Sequence, residues 1–423
     1  MTARIFYADL WGLRQGKYHT LLETAVNDTE WAELMPHSPD YLFVNRDETD
    51  LDEYMNGWKV TEVFPVNSVG IVTARDEFVL DFDKVKLRDR IEEFRGDGLS
   101  DDDIRNKNEL KDTKVWNVTS ARKALRNDED YEQAFATCLY RPFDIRPLFY
   151  HKDMLERPRP EVMHQLQHTN FALVCPKRVE TVGTWQHLLC SRNIVDHVAV
   201  SLKTIDSTFP LYLYAKEGEM QFGKGRCPNL SLDFIKVFSE KLGLKFVDDG
   251  KGDLKETSGP EDIFNYAYAV FHSPTYRARY AEFLKIDFPR LPLTSNKELF
   301  KALAEKGAEL VALHLMGSLR LNKLITSYSE KGEHTVEKVS YDEKTKRVYI
   351  NKTQYFDGVT PEVWNFHIGG YQVCEKWLKD RQKAHRKLSI DDIGHYQKIV
   401  VALKETIRLM TEIDELIPSW PVN

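Results

Sequence analysis

The stretch Cys138 to Val162 (CLYRPFDIRPLFYHKDMLERPRPEV) concentrates side chains that recognise anions. Arg141, Arg146, Arg157 and Arg159 stand among Tyr140, Phe143, Phe149 and Tyr150. A guanidinium presents a planar fork of donors that matches phosphate oxygens and base edges. Pro142, Pro147, Pro158 and Pro160 fix φ and remove backbone donors. The segment is therefore expected to be neither a helix interior nor a central strand. The competing reading is a rigid crossover whose arginines pair with Asp144, Asp153 and Glu156.

Further patches follow. Lys177 and Arg178 end an apolar run, with Trp185, His187 and Arg192 shortly after. Recognition side chains commonly sit on strand ends and the loops behind them. The bland alternative is a solvated loop with Trp185 tucked into the core. Tyr276, Arg277, Arg279 and Tyr280 share one short helix, where Arg277 and Tyr280 lie on a common face. Packed tyrosines and arginines paired with Glu282 would explain the same pattern. Lys344, Lys346 and Arg347 crowd a hairpin turn that could enter a groove or simply keep the hairpin soluble. His314, on an apolar helical face, reads as a core histidine.

Catalytic signatures are missing. There is no G-x-x-x-x-G-K-S/T phosphate loop, and Gly223-Lys224-Gly225 lacks its spacing. H-E-x-x-H, G-x-S-x-G and a helix-opening G-x-G-x-x-G are absent too, as is the Asn/Asp-Pro-Pro-Tyr loop of amino-methyltransferases. A metal-dependent nuclease of the Pro-Asp…Glu-x-Lys kind could use Pro39, Asp40, Glu109 and Lys111, but that pattern is short and common. No catalytic residue and no metal ligand is expected beyond it.

The elements that must position these groups read as α/β in the mixed α+β sense. The chain has 423 residues, which favours two or three domains. Hydrophobic residues make up 42% and charged residues 30%, as in a globular protein, and no apolar run is long enough to span a bilayer. Five scattered cysteines without a C-x-x-C suggest a reducing cytoplasm. A net charge of −7 argues against indiscriminate coating of nucleic acid, but leaves room for a local basic cleft. Strands are expected at Ala3–Leu10, in YLFV near 41–44, in VTEVFPV, VGIVTA and EFVLDF between 60 and 82, at Phe171–Val179, His197–Leu202 and Phe209–Tyr214, and at Val363–Ile368. Helices are expected at 83–95, 119–127, 230–242, 261–271, 276–284 and 296–316, with a last one capped by Ser389. Lys338–Asn351 reads as a β-hairpin.

Several stretches then fall into a known pattern. RIFYADLWGLRQGKY, NDTEWAEL, FPVNSVGIVTARDEFVLDF, LYRPFDIRPLFYH with ERPRPEVM, FNYAYAVFHSPTYRARYAEFLKIDFPRLPL and VWNFHIGGYQVCEKWLKDR resemble the C-terminal part of Type ISP restriction–modification enzymes. Those enzymes join nuclease, helicase-like ATPase, N6-adenine methyltransferase and target-recognition parts in one chain. The resemblance implies a connector or methyltransferase edge over residues 1–115. It implies a mixed-sheet target-recognition domain with long scaffold helices over 116–423. It also implies double-stranded DNA and the enzyme's methyltransferase, helicase and nuclease parts as partners. S-adenosylmethionine, ATP and Mg²⁺ would serve only those other parts, so the chain resembles a piece of a longer enzyme or one product of a split gene. The DNA-binding candidates are Arg157, Arg159, Lys177, Arg178, Trp185, His187, Arg192, Arg277, Lys344 and Lys346. Arg157 and Arg159, in the ERPRPE turn, suit the phosphate backbone, whereas Arg141 suits a structural anchor. The alternatives are a subunit docking on a separate methyltransferase, or the cryptic nuclease with Asp40, Glu109 and Lys111.

Overall fold

The computed structural model describes residues 3–36, 41–180, 183–215, 225–328 and 331–422. They form two compact units, Met1–Leu51 and Asp52–Asn423. In the first, strand Ile5–Tyr7 pairs antiparallel with Ala32–Leu34 around helix Arg14–Glu23. Arg4 reaches Glu33 across the ladder at 2.7 Å. None of the unit's described residues is buried. The expected YLFV strand does not form, since Tyr41, Phe43 and Val44 face solvent with no partner edge to pair with. Pro39 and Asp40 lie outside the described residues.

The second unit is organised around Pro260–His272. Every residue from Asp262 to His272 is buried, so this helix is apolar all round and runs through the core. Pro260 stands at its first position, where no donor is lost. Lys297–His314 packs against it so closely that Gly307 lies over the backbone of Asn265. The terminal helix Ile390–Leu416, capped by Ser389 and Asp392, closes the group. His314 is the expected core histidine: Tyr268 Oη lies 2.5 Å from Nδ1 and Thr406 Oγ1 2.8 Å from Nε2. One imidazole thus joins all three helices.

Small sheets surround this scaffold, giving the expected mixed α+β architecture. One runs Ser68–Val69, Asp206–Pro210, Ala172–Pro176, Leu189–Ser191, all antiparallel. A second centres on Phe135–Arg141, with Asp144–Phe149 on one side and Ile194–Val195 on the other. The arginine-rich stretch therefore does supply a central strand. Its prolines allow this because Pro142 falls in the turn and Pro147 on the edge strand, opposite Thr137.

Three other strand expectations are corrected. Residues 60–82 contain helices Val60–Val63 and Asp76–Val79, and only Ser68–Val69 is a strand. Pro361 starts a short helix through Trp364, leaving just His367–Ile368 extended. Residues 197–202 form a turn rather than a strand. There the carboxylates of Asp196 and Asp206 accept the amides of Val198 (3.0 Å) and Val200 (2.7 Å), replacing ladder bonds.

The division expected at 115/116 falls inside the second unit. Arg122 donates to the carbonyls of Phe94 (2.8 Å), Gly96 (2.7 Å) and Leu99 (2.9 Å) across that point. The Trp116 indole donates to Asp153 O at 2.8 Å.

Candidate nucleic-acid interface

The arginines of the opening stretch divide into two kinds. Arg141 is buried, 3.0 Å from Asp196, with its guanidinium 3.8 Å over the Tyr140 ring. Arg146 is held by Asp144 at 2.6 Å and lies 3.9 Å from the Tyr140 ring centre. These two hold the second sheet together and are not presented to a ligand. Arg157 is exposed. Its backbone pairs with Val72 in both directions, at 2.9 and 3.0 Å, beside Arg75, which is fixed 3.7 Å over the Trp116 ring. Arg159 has left-handed backbone, φ 55°, ahead of Pro160 and is half-buried. So the ERPRPE turn offers one fully exposed cation on a fixed backbone, and one partly withdrawn.

The patch expected from Lys177 to Arg192 is split by the fold. Lys177 and Arg178 are exposed immediately beyond strand Ala172–Pro176. Arg192 is exposed at the other end, because Ser191 pairs with Ala172. Five strand residues separate them, roughly 17 Å at about 3.3 Å per residue.

Trp185, His187 and Arg277 do not lie on the surface. They are 2%, 2% and 3% exposed and meet inside the second unit. The Arg277 guanidinium lies 5.7 Å from the Trp185 ring centre, and its Nε donates to Phe271 O at 2.7 Å. Burial, then the charge of Arg277, pulls the His187 imidazole down to about 4, so it is neutral near pH 7. The burial has a simple cause: in a run rich in Trp, His and Leu, the apolar bodies of the side chains are drawn into the core despite their polar tips.

The residues around these three carry one surface. Gly369 N donates to Gln186 O at 2.8 Å, Gly370 N to Val200 O at 2.9 Å, and Tyr371 Oη to Val198 O at 2.9 Å. The turn between His367–Ile368 and Tyr371–Gln372 thereby ties loop 183–188 to loop 197–205. Lys177 and Arg178 follow directly on the strand end that meets that second loop, since Pro176 pairs with Asp206. Gly369 has φ +57°, and a Cβ there would stand 2.0 Å from Val200 O. Gly369→Ala is accordingly expected to lose roughly 1–3 kcal/mol, read as a lower urea midpoint with unchanged slope.

Lys344 and Lys346 are exposed in the turn between Ser340–Asp342 and Arg347–Tyr349, on a separate sheet. Asp342 Oδ1 accepts the amides of Lys344 (3.0 Å) and Thr345 (3.3 Å), and Lys346 O accepts those of Gly358 (3.1 Å) and Val359 (3.0 Å). Both lysines therefore project from a fixed turn. Glu109 and Lys111 are exposed, and among the described residues no group of His, Cys, Asp and Glu is placed to hold a metal ion. Asp40, Gly223 and Lys224 lie outside the described residues.

Sequence reading passed over Leu202, Lys203 and Ile205, which are exposed on the 197–205 loop. HVAVSL has the composition of a strand, which hides the exposed position of Leu202. The signal was the pair Asp196 and Asp206, two short acids flanking the segment and able to cap its amides.

Exposed basic and polar loops are thus carried on a mixed α+β scaffold. The chain belongs to the family of Type ISP C-terminal specificity domains, whose model matches residues 62–412. Three solved structures share the fold. A DrdV–DNA complex superposes with a TM-score of 0.72 at 21% identity, covering 97% of this chain and 43% of that one. A nuclease-deletion mutant of the Type ISP restriction–modification enzyme LlaGI with a DNA substrate mimic gives 0.67 at 18%, covering 97% and 33%. The ATP-dependent Type ISP enzyme LlaBIII bound to DNA gives 0.66 at 16%, covering 93% and 26%. This chain thus spans less than half of each. No curated protein matches it.

Proposed function

We propose that this chain reads the sequence of double-stranded DNA as the specificity part of a restriction–modification enzyme. Membership of the specificity-domain family over residues 62–412 carries the reading. The arrangement of exposed cations supports it: Arg157, Lys344 and Lys346 stand on backbone fixed by a bridge or a hairpin turn, and Lys177 and Arg178 directly follow a paired strand. Phosphate contacts set register on a duplex, and base-edge contacts carry the sequence. In this scheme Arg157 holds the backbone, while Lys177 and Arg178 lie where the loops converge and read base edges. Adenine methylation and cleavage, with S-adenosylmethionine, ATP and Mg²⁺, belong to other parts of the enzyme, in the cytoplasm.

Arg157→Ala is expected to weaken binding to every duplex alike and to lower the slope of log affinity against log salt by about one. Fluorescence anisotropy of labelled duplexes across a salt series measures both. A changed sequence preference in this variant would contradict the role given to Arg157.

A second reading, docking on a separate catalytic protein, is favoured by the first unit. Residues 1–51 carry Arg4, Arg14, Lys17 and Arg46 against nine acids. They expose Trp11, Leu13, Leu22 and Met35. Such a surface suits a protein partner better than a phosphate backbone. The two readings are compatible in one enzyme.

A further inference from the structure

Loop 197–205 is anchored from within and apolar at its tip. Val200, Ser201, Thr204 and Asp206 are buried, while Leu202 is 65% and Ile205 58% exposed, with Lys203 exposed between them. The anchors are specific. Asp206 Oδ2 accepts the Val200 amide at 2.7 Å, and Ser201 Oγ accepts the Lys203 amide at 3.3 Å. From outside the loop, Gly370 N reaches Val200 O at 2.9 Å. There is no room for a side chain at Gly369 beneath it. A loop tied at both ends and in its middle has little freedom to fold its aliphatic side chains inward.

Large aliphatic side chains on a fixed projection are a contact surface in waiting, and the neighbouring charges narrow the partner. Pro176 pairs with Asp206, so Lys177 and Arg178 leave their strand at the end where loop 197–205 enters its own. Lys177, Arg178 and Lys203 are exposed on the two segments that meet at this strand end, and Glu180 is the exposed acid of 177–180. A polyanion with apolar groups between its phosphate rails fits this pattern. Duplex DNA is such a molecule, because thymine carries a methyl group at its major-groove edge.

We propose that loop 197–205 enters the major groove, where Leu202 and Ile205 contact thymine methyl groups and Lys203 a flanking phosphate. Sequence preference would then come partly from aliphatic contact rather than from arginine forks alone. The inference rests on the DNA-recognition reading above.

The test uses the full chain and a duplex enriched from a randomised pool by the wild-type protein. Affinities are measured for that duplex, for a scrambled one, and for a version with every thymine replaced by deoxyuridine. Leu202→Ser and Ile205→Ser should each weaken binding to the enriched duplex about five- to tenfold and leave the scrambled duplex unaffected. The deoxyuridine duplex should bind wild type correspondingly worse, and bind the two variants no worse than the thymine duplex does. Lys203→Ala should weaken all three duplexes alike. Because the three side chains are exposed, thermal midpoints should stay at the wild-type value, which separates contact from misfolding. Serine variants that bind like wild type, or a deoxyuridine duplex that wild type binds undiminished, overturn the loop's role and leave the general reading standing. A wild-type protein that enriches no sequence overturns the general reading, and the loop's role with it.

Discussion

Asp144→Ala is expected to destabilise the protein by about 3–5 kcal/mol, the cost of stranding a buried charge. Asp144 is 1% exposed. Its carboxylate accepts Arg146 Nε at 2.9 Å and Nη2 at 2.6 Å through one oxygen, and Arg381 Nη2 at 2.9 Å through the other. Arg381 is buried, 3.3 Å over the Trp377 ring. Arg146 lies 4.1 Å over Phe82. Removing the acid leaves two guanidinium groups close together, with only the longer Arg146–Asp380 contact at 3.5 Å as direct countercharge. The same contact ties the Asp144–Phe149 strand to helix Val373–Lys383, far away in sequence.

The pH dependence of this contact has a definite sign. Burial by itself would raise the Asp144 carboxyl, but Arg381 and Arg146 outweigh it and hold the group below its ordinary value. A carboxyl depressed in the folded state adds stability above its unfolded pKa, near 3.9, and loses it as pH falls through the lower folded value. Asp144→Asn should therefore be costly at pH 7 and progressively less so toward pH 3. Urea midpoints at a series of pH values measure this. Equal cost at all pH values would contradict the charge argument.

Gly307→Ala is the second large effect. An exposed helical glycine usually gains about 1 kcal/mol on replacement by alanine. Here the added Cβ would sit 1.8 Å from Asn265 O and 2.5 Å from Asn265 C. No rotamer change relieves a clash with backbone, so Pro260–His272 and Lys297–His314 would have to separate. That parting also pulls on Tyr268 and His314, which join the two helices. The expected loss is about 3 kcal/mol, the upper end for overpacking. Chemical denaturation reads it directly, and a gain in stability would show that the helices do not touch here.

Legibility in the sequence followed the kind of signal each element carries. The helices starting after Asp83, Asn296 and Ser389 were plain, because their apolar spacing agrees with side chains that cap the first-turn amides. The 338–351 hairpin was plain too, as its alternation and turn chemistry agree. What failed was pairing. The apolar runs at 60–82, 197–202 and 363–368 have the composition of strands, but partner edges, the flanking acids Asp196 and Asp206, and Pro361 decide otherwise, and of these only the partner edges are non-local. The site divided along the same line. Exposed turns at Arg157, Lys344 and Lys346 were marked by proline or by charge. The burial of Trp185, His187 and Arg277 depends on helix Pro260–His272 and on the Gly369 turn, which lie far from Trp185 and His187 in sequence.

A specificity domain must prefer one duplex sequence over others. Selection from a randomised duplex pool, followed by anisotropy at a fixed salt concentration, tests this most directly. The account predicts one enriched site that binds at least about 100-fold more tightly than a scrambled duplex of the same length. Equal affinity for both, or no binding even at low salt, would contradict it.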